Sequence, residues 1–68
     1  MNTLEIFKYI IYQANCHQRT GVDYATISLY RRWLEGATKG RKPTIEKMEE
    51  IIVRYGATVI QDKLWKLN

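Results

Sequence analysis

Three glycine-bearing breaks cut this chain into short stretches of helical hydrophobic periodicity, and that division limits the fold more than any other feature. Gly21 interrupts the first stretch. The run from Gly36 to Lys42, closed by Pro43, separates the second from the third, and Gly56 ends the third. At 68 residues, a chain divided this way reads as one domain, all-α, a small bundle of four to five short helices. A domain of this size buries only a modest core and leaves no room for an enclosed catalytic cleft.

Each stretch carries its own start signal. Asn2 can cap a first helix with Glu5 as its capping-box partner, and Leu4, Phe7, Ile10, Ile11 and Ala14 then form one apolar face. The pattern either runs straight to Gln18 or breaks near Ile11 or Tyr12 into two helices. After Gly21, Asp23 is a good N-cap for a helix from Tyr24 to about Leu34. Its inward stripe is Ile27, Tyr30 or Arg31, and Leu34, with Val22 packing just before it. Thr44 caps the next helix, with Ile45, Met48, Ile51, Ile52 and Tyr55 inward and Glu46, Glu49 and Glu50 outward. The tail, residues 57–68, fits two forms. Thr58 with Gln61 can box a last helix containing Ile60, Leu64 and Leu67, whereas Thr58-Val59-Ile60 is β-prone and allows a C-terminal strand.

Charge is concentrated. Arg31, Arg32, Lys39, Arg41, Lys42 and Lys47 face only Glu35 and Glu46 within their segment, so six positive charges against two account for the whole net charge of +4. A local basic block on a neutral body is expected of a phosphate-binding surface. Cys16 is the single cysteine, which excludes a disulfide scaffold and favours a reducing, cytoplasmic setting. Met1 to Tyr12 lacks the basic start and small-residue cleavage site of a signal peptide. No apolar run approaches the roughly 20 residues of a membrane span. Cys16 and His17 are adjacent, so on a helix they diverge and form neither a zinc pair nor a nucleophile pair. No metal, cofactor or catalytic residue is expected, and the chain is not read as an enzyme.

The informative segment is Gln13 to Ser28, QANCHQRTGVDYATIS. A short helix, a Gly-Val-Asp turn and a second capped helix are the layout of a helix-turn-helix, here spanning about residues 13–32. The turn must be tight, which its glycine permits. Val22 and Ile27 would pin the second helix to the core and leave its other positions facing outward.

At these residues the chain resembles the phage repressor and Cro-like helix-turn-helix family. Gly21-Val22-Asp23-Tyr24-Ala25-Thr26-Ile27-Ser28 follows the family's glycine, apolar residue, cap, two variable residues and Thr-Ile-Ser-like run. Gln13 falls where the family often has a glutamine, and Lys39-Gly40-Arg41-Lys42-Pro43-Thr44 resembles its basic, proline-closed lead-in to the fourth helix. The likeness covers roughly Gln13 to Tyr55. Three features depart from it. His17 replaces a small alanine where the two helices touch, Leu29 replaces a basic residue, and the link to Pro43 is longer.

The resemblance implies a second motif helix lying in the major groove. Tyr24, Ala25, Thr26, Ser28 and Leu29 would then read bases, while Gln13, Arg31, Arg32, Lys39, Arg41 and Lys42 would hold phosphates. It implies double-stranded DNA as partner and a transcriptional regulator of phage or mobile-element type, with no room for a sensor domain at this size. Such proteins usually dimerise on two half-sites, and the apolar tail (Val59, Ile60, Leu64, Trp65, Leu67) offers a homodimer contact. An excision or recombination accessory factor is a close variant. A phage-encoded inhibitor or adaptor binding a host protein through a reused helix-turn-helix fold is the competing reading, favoured by His17 and Leu29.

Overall fold

Asn2 starts the first helix. In the computed structural model, which describes residues 1–61 and 64–67, its side chain accepts from the Glu5 amide (2.8 Å) while the Glu5 carboxylate accepts from the Asn2 amide (2.9 Å). This reciprocal capping box satisfies two amides that a helix start otherwise leaves open. Helix α1 (Thr3–Ile11) buries Ile6, Phe7, Ile10 and Ile11. Leu4 and Ala14, expected on that face, are instead exposed. Leu4 sits in the first turn, at the rim, where it shares a surface recess with Ile45. Ile45, the first residue of its own helix (Ile45–Tyr55), is likewise at a helix start and is 53% exposed, which corrects its expected inward placement.

The first apolar pattern breaks at Tyr12, the cap residue after Ile11. Gln13 lies in the turn that follows, where its amide donates to the Ile10 carbonyl and its carbonyl accepts from the Cys16 amide. Helix α2 is therefore only Cys16–Thr20, shorter than the helix expected from Gln13 onward. Buried Thr20 closes it: its hydroxyl donates to the Cys16 carbonyl (2.6 Å) and accepts from the Val22 amide (3.3 Å). Gly21 then takes the left-handed conformation (φ 74°) and donates to the His17 carbonyl at 2.9 Å.

Helix α3 (Tyr24–Leu34) is capped by Asp23, which accepts from the Thr26 amide at 2.8 Å. Ile27 and Tyr30 are its buried residues, so Tyr30 rather than Arg31 completes the inward stripe. The helix ends in a Schellman arrangement: Gly36 donates to the Trp33 carbonyl and Ala37 to the Arg32 carbonyl. The loop then doubles back, and the Arg41 amide donates to the Leu29 carbonyl at 3.0 Å. Helix α4 (Ile45–Tyr55), capped by Thr44, buries Met48, Ile51, Ile52 and Tyr55.

The tail forms strands, not a last helix. Strands β1 (Ala57–Gln61) and β2 (Leu64–Leu67) pair antiparallel, with Val59 opposite Trp65 and an irregularity between Val59 and Gln61. The expectation for the tail also covered Asp62, Lys63 and Asn68, which lie outside the described residues. Packing decides the form. Trp65 is 4% exposed, and its indole donates to the Thr3 hydroxyl at 3.0 Å. The chain start flanks β2 on its far side, since the Trp65 amide donates to the Met1 carbonyl at 2.8 Å. A large aromatic sealed against α1 outweighs the weak local capping signal at Thr58. The described residues form a mostly helical domain of four helices with a two-stranded antiparallel sheet; of the two forms open to it, the tail takes the strand.

One core joins these parts. Phe7 meets the Tyr30 ring edge-on, with centroids 5.8 Å apart, and Val22, Ile27, Met48 and Trp65 belong to the same cluster. Trp33 and Leu34 pack against it while half-buried. Among the described residues, no helix is long and apolar enough to cross a membrane.

Candidate nucleic-acid interface

The residues behind α3 determine what its front presents. Val22 and Ile27 are 8% and 3% exposed and, with Tyr30, fix the helix to the core. A helical repeat of 3.6 residues then turns Ala25, Ser28, Leu29 and Arg32 to the opposite side. Ala25 and Arg32 are exposed, and Ser28 and Leu29 half-buried. Leu29 is partly sheltered because the returning loop hydrogen-bonds to its carbonyl. This outward strip is small, mixed in polarity and bounded by Arg32 at its far end.

Tyr24 is 65% exposed, and its ring stacks on His17 with centroids 4.2 Å apart and planes 24° from parallel. The His17 Nδ1 lies 2.7 Å from the Val22 carbonyl. A carbonyl only accepts, so Nδ1 carries the hydrogen. His17 thus ties α2 to both the turn and the first residue of α3, filling the junction where a small residue was expected. Thr26 is occupied locally: its hydrogen bonds hold the Asp23 carboxyl below the usual carboxylate range, with Arg41 adding to the effect.

The basic residues do not act as one patch. Half-buried Arg31 donates from Nε to the Ile11 carbonyl (2.9 Å), and its guanidinium lies 5.5 Å from the Tyr12 ring centre. The Tyr12 hydroxyl in turn donates to Glu35 at 2.8 Å, which pushes that phenol's pKa up. Arg31 is therefore engaged in holding α3 to α1. Gln13 is likewise engaged, donating to the Tyr9 carbonyl at 3.2 Å. Arg32, Lys39, Arg41 and Lys42 are exposed. Arg41 lies on the Asp23–Thr26–Tyr30 side of α3, whereas Lys42 lies by Thr3, Leu4 and Trp33.

Lys47 and Arg54, neither singled out from the sequence as phosphate ligands, also stand on the Arg41 side. Arg54 donates to the Thr20 carbonyl at 3.3 Å and pairs with Glu50 at 2.7 Å. No local pattern signals this, because Thr20 and Arg54 are brought together only by the packing of α2 on α4. Cys16 is buried, and burial pushes its thiol pKa up, consistent with a core role.

No protein-family profile, curated protein or solved structure matches this chain.

Proposed function

We propose that the protein binds double-stranded DNA through a helix-turn-helix formed by α2, the Gly21–Asp23 turn and α3, and acts as a small transcriptional regulator of phage or mobile-element type. The observation that carries this reading is the two-sidedness of α3. Val22, Ile27 and Tyr30 are buried behind it, while Ala25, Ser28, Leu29 and Arg32 form its outward strip. A surface helix braced in this way can enter a groove about 12 Å wide without exposing core.

Within this reading, Ala25 and Leu29 meet thymine methyls and Ser28 hydrogen-bonds a base edge. Tyr24 offers its ring or hydroxyl at the groove edge. Arg32, Lys39 and Arg41 supply the phosphate grip, with Lys42 on a separate side and Arg31 and Gln13 bracing the scaffold. The test is binding to random-pool duplex at several salt concentrations. A slope of log K against log salt of about −0.9 per neutralised phosphate supports DNA binding. Recovery of a palindromic sequence from the pool supports specific, dimeric reading.

The hairpin favours an added protein contact. Val59 and Ile60 are 56% and 60% exposed on β1, and Leu64 is 38% exposed on β2. We assign them to a homodimer contact, without Trp65, which belongs to the core. Sedimentation with and without duplex tests this, and a host-protein partner for the same surface is the competing outcome.

A further inference from the structure

An open polar cleft of about 370 Å³ lies beside the turn that precedes α3, lined by Asp23, Thr26, Tyr30, Arg41, Lys47 and Arg54. Three of these six side chains are cationic, and they come from the loop and from two separate turns of α4. Glu50 holds two of them, lying 3.7 Å from the Lys47 ammonium and 2.7 Å from the Arg54 guanidinium.

Tyr30 adds a hydroxyl donor to this cationic lining. It is 4% exposed, and its hydroxyl makes no hydrogen bond to any described residue. No fully buried polar side-chain atom among the described residues lacks a partner, so this oxygen must open to the cleft. The charges acting on it are those of Arg41, Asp23 and Glu50, which line or adjoin the cleft. A phenol open to the cleft can donate to whatever fills it, solvent or an entering oxyanion.

We propose that this cleft is an oxyanion site that takes one phosphodiester group, held by Arg41, Lys47, Arg54 and the Tyr30 hydroxyl. The charge balance fits such a group. Three cations against Asp23 and Glu50 leave one positive charge, matching the single negative charge of a phosphodiester. Asp23 accepts from Thr26 and Glu50 pairs with Lys47 and Arg54, so an entering oxyanion shares these cations with two carboxylates. The choice of backbone phosphate as the source rests on the DNA reading above; the site as an oxyanion site does not.

The experiment follows amide shifts of the full chain on titration with inorganic phosphate against chloride at constant ionic strength, alongside salt-dependent binding to a duplex of about two turns. Wild-type protein should show saturable shifts at Gly21 and Thr26. Lys47→Gln should weaken the phosphate response about tenfold, as expected for one lost charged contact. Tyr30→Phe should weaken it as well while leaving the melting temperature unchanged, because the lost hydroxyl bonds to none of the described residues. On duplex, Lys47→Gln should reduce the salt slope by about 0.9. Phosphate shifts that are absent, or equal in wild type and both variants, overturn the site whatever the duplex does. Phosphate binding intact with no duplex binding leaves the site standing for free phosphate and sinks the DNA reading instead.

Discussion

The imidazole of His17 stacks on the ring of Tyr24 at a centroid distance of 4.2 Å, joining the short α2 to the first turn of α3 across the glycine turn. Its second link, from Nδ1 to the Val22 carbonyl, fixes the ring's position. A stacked contact and a part-buried hydrogen bond together contribute about 1–2 kcal/mol. His17→Ala should therefore lower stability by about that much and weaken duplex binding, because α3 loses its lateral brace. His17→Phe should recover part of both effects by keeping the stack. Thermal melts of the three proteins, paired with duplex titrations, check this; equal melting of wild type and His17→Ala would show that the stack is idle.

Arg31 and Arg32 are neighbours with different work. Arg31 donates to the Ile11 carbonyl, while Arg32 is exposed at the end of the outward strip. Arg31→Ala should cost about 1–2 kcal/mol of stability by leaving that carbonyl without its charged donor. Arg32→Ala should leave stability within about 0.5 kcal/mol and reduce the duplex salt slope by about 0.9. Denaturant unfolding and salt-dependent binding separate the two, and the reverse pattern would reassign both residues.

The placement of Arg41 depends on Gly40. A Cβ at Gly40 would collide with the backbone of Trp33 and stand 2.8 Å from the carbonyl carbon of Arg32, atoms that cannot rotate aside. Gly40→Ala should lift the loop off α3, break the Arg41–Leu29 hydrogen bond and speed exchange of the Arg41 amide. Duplex affinity should fall about as far as in Arg41→Ala. Unchanged exchange at Arg41 would mean that the loop can accommodate the methyl.

Local chemistry shows in this sequence, whereas contacts made only by the folded chain do not. The caps at Asn2, Asp23 and Thr44 were legible because each is a local exchange between a side chain and an amide three residues on. Val22 and Ile27 were legible because a turn and a helical repeat place them together. Leu4 and Ile45 were misplaced since periodicity gives a direction around a helix but not its distance from the core's edge. The form of the tail depended on Trp65 reaching Thr3, and the duties of Arg31 on a carbonyl 20 residues away. Neither contact leaves a mark in the neighbouring sequence. The basic block was legible as composition, but the division of Arg41 from Lys42 required the loop's path.

Asp23 gives a pH signature. Its carboxyl is held below the usual range by Thr26, so the folded state favours the ionised form. That contribution is present above the unfolded carboxyl's value, near 4, and is lost as pH falls through the lower folded value. Asp23→Asn keeps a cap oxygen without the charge. Wild type should melt higher than Asp23→Asn at pH 7, and the gap should close at acid pH. A gap independent of pH would assign the cap's strength to geometry rather than charge.

The most direct measurement is an amide-shift map of the protein with a duplex recovered from a random pool. The expected result is a contiguous set of shifts over Tyr24, Ala25, Ser28, Leu29 and Arg32, joined by Lys39 and Arg41, with the core positions Ile6, Ile10 and Ile52 unmoved. Shifts confined to the hairpin or to the Glu46–Glu49 face of α4, or no binding at low salt, would contradict a DNA-entering role for α3.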